Sequence, residues 1–214
     1  MNENDSVGNK NNPKISMKPF SEVTRFHGHV CPGSAIGYKA AEAGLNELKS
    51  SMSQDEEIIA LVENDSCAVD AVQVITGCTF GKGNLLFMDH GKQVYTFINR
   101  VTNDAVRVSL KNSFSVDTMA PKLGKLRAQV NSGIATELEK ADLENMIEDV
   151  SEEILEIPYQ KMFDIKHVEL ELPKKAKIFK SVKCSQCGEM VSEHRSCVKN
   201  GEIVCIPCFG DIQQ

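Results

Sequence analysis

Hydrophobic and polar positions sort the chain into alternating helical and extended stretches. Phe20, Val23 and Phe26 follow Pro19 at helical spacing and predict a short amphipathic helix. From Pro32 the pattern is helical again, with Ala35, Ile36, Ala40, Ala43 and Leu48 for an apolar face and Glu42, Glu47 and Lys49 for solvent. Gly33, Ser34, Ala35 and Gly37 leave its first turns open to close approach. IIALV at 58–62 reads as a buried strand. A helix capped by Asp65 or Ser66 and ended by Gly77 follows, with a strand as the competing reading because of its Val and Ile content. Residues 85–88 and 94–98 predict a hairpin around Asp89-His90-Gly91, and 105–110 a further strand. Residues 118–131 predict a helix with Pro121 in its first turn. Thr136-Glu137-Leu138-Glu139 matches a capping box that opens a helix running to Pro158. Residues 165–172 alternate as a strand. Elements mixed in this way predict an α+β fold, a mixed or antiparallel sheet with packed helices over residues 15–173.

The ends of the chain differ from this middle. Residues 1–14 are polar and Asn-rich, and are expected to form a disordered tail. After Pro173 the sequence KKAKIFKSVK places Lys174, Lys175, Lys177, Lys180 and Lys183 around Phe179, a basic arm that leads into a cysteine-rich stretch over 174–214. The net charge of −6 argues against a chain built to coat nucleic acid, and solvation accounts for the lysines better than phosphate contact does. Eight cysteines with no signal-like start point to reduced thiols or metal ligands, and hence to a cytoplasmic protein. No apolar run approaches the ~20 residues that span a bilayer, so no membrane partner is expected.

Two constellations could carry chemistry. Cys184-x2-Cys187-x17-Cys205-x2-Cys208 is a pair of thiolate hooks with the spacing of a tetrahedral zinc site. Four thiolates close the coordination shell, so this zinc is structural; His194 and Cys197, between the hooks, are read as surface or packing residues. The second is FHGHVCPGSAIG at 26–37, where His27, His29 and Cys31 fall on alternate residues and would share one face of an extended segment. Cys67, at another strand-to-helix junction, is a candidate fourth member, and the set suits a divalent transition metal such as Zn2+, Ni2+ or Fe2+. The rival reading is an enzyme that uses Cys31 as a nucleophile at a helix start, or an open metal position to activate water, with Asp70 or a His moving protons. Asp70 and Gln73 lie close to one helical turn from Cys67 and could face the same cleft. GCTFGKG at 77–83 fails as a phosphate loop, having three residues between its glycines and Gly83 where a Ser or Thr should stand, which leaves at most an anion nest near Lys82.

The runs FHGHVCPGSAIGYKAA at 26–41, VENDSCAVDAVQVITGCTFGKGNL at 62–85 and GKQVYTF at 91–97 together resemble the FmdE family, named for a component of the formylmethanofuran dehydrogenases of methanogens. The tail resembles the zinc-ribbon or treble-clef module that some members append. The resemblance implies an α+β core, commonly a homodimer, with a metal cleft that contains His27, His29, Cys31 and Cys67. It also implies an accessory role in one-carbon metabolism beside a molybdenum- or tungsten-containing redox enzyme of the formylmethanofuran or formate-dehydrogenase type. The residues themselves carry no iron–sulfur ligand set beyond the cysteines already assigned, so formyl or hydride chemistry comes only with the family name. A zinc-finger regulator or interaction protein is the remaining class.

Overall fold

Helix α2 (Pro32–Glu47) runs through the middle of the larger unit and explains its Ala- and Gly-rich sequence. Ala35, Ala40, Ala41, Ala43 and Leu45 are all fully buried, because α2 packs against helices on several sides and against a sheet. Small residues let those neighbours approach. A Cβ at Gly44 would lie within 2.1 Å of the Phe97 ring, and one at Gly37 within 2.2 Å of the Ala68 carbonyl oxygen. Lys39 is the one buried cation on α2; its Nζ donates to Leu155 O at 3.1 Å and pairs with Glu42, so its charge is compensated.

The computed structural model describes residues 17–210, and the expected tail at 1–14 lies outside them. Helix α1 (Phe20–His27) precedes α2, and strand β1 (Ile58–Val62) follows it. Then come helix α3 (Ala68–Thr76) and strands β2 (Leu85–Phe87), β3 (Val94–Asn99) and β4 (Ala105–Leu110). Helices α4 (Val116–Met119), α5 (Leu123–Asn131), α6 (Glu137–Glu156) and α7 (Tyr159–Met162) lead to strand β5 (Phe163–Val168). The sheet order among the described residues is β2-β1-β3-β4-β5. β2 runs parallel to β1, and the other neighbours pair antiparallel, which makes a mixed sheet.

The hairpin expected from 85–98 is not formed. β2 and β3 flank β1 on opposite sides, and the Asp89–Gly91 turn wraps the end of β1: Met88 N donates to Val62 O at 2.9 Å and Lys92 N to Glu63 O at 2.8 Å. A turn composition is the same whether the strands it joins pair with each other or straddle a third. The helix expected over 118–131 is interrupted at Ala120 (φ −129°, ψ 75°), because the residue before Pro121 is excluded from helical backbone, so Pro121 separates α4 from α5. The last strand occupies 163–168 rather than 165–172. Its Phe163 and Ile165 join the core under α2, while Leu172 packs with Ile59, Ile98 and Ala105 on the other face of the sheet. α6 begins as its sequence predicts, with Thr136 and Glu139 in a reciprocal capping box, Glu139 N to Thr136 Oγ1 3.2 Å and Thr136 N to Glu139 Oε2 2.8 Å.

The chain divides into two units, Met1–Lys175 and Ala176–Gln214. The second is built from two short antiparallel pairs: β6 (Ser181–Lys183) with β7 (Met190–Ser192), and β8 (Ser196–Lys199) with β9 (Glu202–Cys205). Helix α8 (Ile206–Phe209) follows, with Pro207 in its first turn. Its buried interior is Cys184, Val204 and Cys205. Among the described residues no helix is long and apolar enough to cross a membrane.

Candidate metal centres

The core site forms where three element ends meet. α1 ends at His27 because Gly28 takes the left-handed conformation (φ 93°) and its N–H closes the helix on Thr24 O. Extended Cys31 (φ −154°, ψ 154°) then caps α2, with Sγ accepting from Ser34 N at 3.4 Å. Cys67 stands at the start of α3, after a turn held by buried Asn64, whose Oδ1 accepts from Ser66 N (3.2 Å) and Oγ (2.7 Å). Asp65 and Ser66 make no side-chain cap to α3. The glycine face of α2 brings Cys67 in: a Cβ on Gly33 would sit 3.2 Å from Cys67 Cβ and 3.8 Å from Cys31 Sγ.

The result is a cluster in which His27, Cys31 and Cys67 offer ligand atoms all within 4.8 Å of one another. Of the four residues singled out in sequence, these three come together and His29 does not. The segment is not extended, since a helix end and a left-handed glycine separate the two histidines, and side-chain alternation no longer applies. His29 is exposed, its ring 4.4 Å from that of His27. Asp70 Oδ2 lies 2.7 Å from His27 Nδ1. A carboxylate only accepts, so Nδ1 carries a proton, and Nε2 is the ring nitrogen that faces Cys31 Sγ, 3.8 Å away. A tetrahedral zinc with ordinary Zn–S and Zn–N bonds separates its S and N ligands by about 3.6 Å, so the pair is spaced to share one ion. Burial first, and the Cys31 thiol second, push the Cys67 thiol above its ordinary value. Two thiolates this close are stable together only with a cation between them.

Two hollows flank the cluster, and Cys67 lines both. One, of about 350 Å³, adds His27 and Asp70 to the apolar side chains Val62, Leu85 and Phe87. The other, of about 520 Å³, opens between Cys31 and the helices α4 to α6. Gln73 reaches Asp70 Oδ1 at 3.3 Å and so holds the carboxylate that orients His27. Asn64 was not singled out in sequence, although an Asn two residues before a Ser is a local turn signal. The glycine-rich loop contributes nothing here, since Lys82 Nζ is spent on the Ser53 and Gln54 carbonyls at 3.5 and 3.3 Å.

In the second unit Cys184, Cys187, Cys205 and Cys208 also fall within 4.8 Å of one another. Cys187 and Cys205 Sγ are 3.8 Å apart, the spacing of about 3.8 Å that two thiolates take on one tetrahedral zinc. Backbone N–H groups of Cys187 and Cys205 pull the Cys184 thiol down to about 6, whereas the neighbouring Cys205 thiol is the first cause that pushes Cys208 up to about 12. Cys197 packs against this cluster without joining it, and His194 stacks on Phe179 with ring centroids 3.9 Å apart.

These features define an α+β protein with a His/Cys cluster at a helix junction and an appended four-cysteine zinc-finger module. The family model described as "FmdE, Molybdenum formylmethanofuran dehydrogenase operon" matches residues 26–164, and the chain belongs to the FmdE family. The model of the prokaryotic dksA/traR C4-type zinc finger matches residues 177–214. A curated relative from Archaeoglobus fulgidus, a probable S-adenosyl-L-methionine-binding protein, is 31% identical over 226 aligned residues that cover 96% of this chain and 58% of the relative. The chain thus spans little more than half of that protein's length. A crystal structure of a tungsten formylmethanofuran dehydrogenase FmdE-like protein from Syntrophus aciditrophicus is similar with TM-score 0.54 and 25% identity, covering 91% of each chain.

Asp70→Asn is expected to lower the metal affinity of the core cluster about 10–100-fold, because His27 loses the charged partner that fixes its tautomer and orientation. Competition against a chromophoric chelator measures it, and an unchanged affinity would show that Asp70 does not act on His27.

Proposed function

We propose that this chain is a metal-binding FmdE-family protein in which His27 Nε2, Cys31 Sγ and Cys67 Sγ hold one divalent transition-metal ion, beside a structural zinc in the four-cysteine module. The observation that carries this reading is the convergence of those three ligand atoms within 4.8 Å, with Asp70 behind the imidazole. The two sites differ in what they leave open. Four thiolates complete a tetrahedral shell, whereas two thiolates and an imidazole leave one position for a ligand or water. An ion bound there supplies Lewis acidity at that position, and Asp70 keeps a proton on His27 Nδ1, beside apolar walls that include Val62 and Leu85. The wider role we propose is accessory to a molybdenum or tungsten formylmethanofuran or formate-type dehydrogenase system. It is supported by the description of the family and of the structural neighbour.

Full-length protein purified without added metal should carry about two metal equivalents, and Cys31→Ala about one. About one equivalent in both proteins would overturn the core site. The helix-capping geometry of Cys31, with Ser34 N–H on its sulfur, also favours a second reading as a reactive thiol. Mass mapping after a thiol reagent decides that reading: it fails if Cys31 reacts no faster than buried Cys78, whose thiol burial pushes up to about 11.

A further inference from the structure

The larger hollow beside the cluster has features that metal binding does not use. Its walls include Ile36, Val116, Leu123 and Ile147, from four different helices, and its floor includes Cys31 and Cys67. Asp117 and Arg127 line it as well. Both are exposed, and among the described residues neither makes an ion pair, with the other or elsewhere. Gly124, one helical turn before Arg127, also lines the hollow, and a Cβ there would meet nothing within 4 Å. A glycine inside a helix costs stability relative to alanine, and here it keeps space open where no packing demands it.

An anion and a cation left unpaired over aliphatic walls complement a ligand that brings both opposite charges and an apolar body. From this geometry we infer that the hollow binds a zwitterionic α-amino acid with an unbranched apolar side chain. Its carboxylate pairs with Arg127, its ammonium with Asp117, and its side chain lies among Ile36, Val116, Leu123 and Ile147, pointing toward Cys31 and Cys67. The volume of about 520 Å³ is within the range of small-molecule sites. This inference deepens the metal-site reading, on which it rests for what the side chain approaches.

Calorimetric titration of the full-length protein with L-norleucine tests it. Affinity should fall about fourfold for each methylene removed along the series to L-alanine, the ratio that follows from the burial of one CH2. Hexanoate, which lacks the ammonium, and pentylamine, which lacks the carboxylate, should each bind about two- to fivefold more weakly than L-norleucine, as expected for charges paired at an exposed rim. Gly124→Phe fills the hollow from a position with room for a side chain and should abolish binding. Arg127→Gln should weaken L-norleucine while leaving pentylamine unchanged. L-norleucine that binds no better than hexanoate, or equally well to Gly124→Phe, overturns the inference, and the ligand series on the unaltered chain decides it even if a variant fails to fold. Metal analysis of the same samples separates the two readings. Two equivalents of metal without amino-acid binding overturns only this inference; binding with one equivalent overturns only the core metal site.

Discussion

Removing metal from the four-cysteine module, by a strong chelator or by Cys205→Ser, is expected to unfold residues 176–210 while the larger unit stays folded. The module has little else to hold it. Its buried interior consists of Cys184, Val204 and Cys205, and two of these three are ligands of the proposed zinc. Burying one valine contributes about 1.5–3 kcal/mol. Ordering a single residue costs about 1–2 kcal/mol in backbone entropy alone, so one valine cannot order a module of this length. Structural zinc in comparable modules contributes about 10–16 kcal/mol, which makes this the largest effect expected in the molecule. Limited proteolysis with mass mapping reads it: cleavage should spread through the β6–α8 region on chelation while α2 and the five-stranded sheet stay protected. Persistent protection of the module in metal-free protein would show that it folds on packing alone.

Gly37→Ala is the second. An alanine Cβ at this position would lie 2.2 Å from Ala68 O, 2.6 Å from its Cα and 2.7 Å from its carbonyl carbon. These are backbone atoms of the first residue of α3, with no rotamer that could yield. The helices must separate, and overpacking of this kind costs about 3 kcal/mol or more when the backbone has to move. The displacement reaches the site, because Cys67 immediately precedes Ala68 and is the one member of the cluster that α3 brings to Cys31 and His27. Denaturant unfolding should therefore show the loss of stability, and metal analysis should show loss from the core cluster with retention in the four-cysteine module. Gly124→Ala is the control. With open space around its Cβ, it should stabilise the chain by up to about 1 kcal/mol and leave the metal content unchanged. Equal stability of the two variants would refute the close contact between α2 and α3.

Much of the larger unit could be read from local pattern. α1, α2, β1, β4 and the capped α6 follow from apolar spacing and end signals that act over a few residues. The partners of these elements could not be read in the same way. Residues 85–98 carry the turn chemistry of a hairpin, yet β1 lies between the two strands, since pairing is decided by which strand fills the next position in the sheet and not by the loop. Pro121 is compatible with a helix start, yet it stands before the Lys122 cap of α5 and divides the expected helix into α4 and α5. Arg127 and Asp117 could not be singled out among other surface charges, because what distinguishes them is the hollow they share.

The site divides along the same line. The sequence by itself determined the four-cysteine hooks, the thiol at the start of α2, the glycines on the face of that helix, and a second thiol at another helix start. All of these are matters of spacing within a single stretch of chain. Only the tertiary structure decided that His27 rather than His29 faces the two thiols, that Asp70 holds its ring, and that a hollow opens on the thiol side. A left-handed Gly28 redirects the chain between the two histidines, and the contact of Gly37 with Ala68 brings Cys67 across from a distant part of the sequence. Residue spacing could nominate the donors; the close packing of α2 on α3 selected among them.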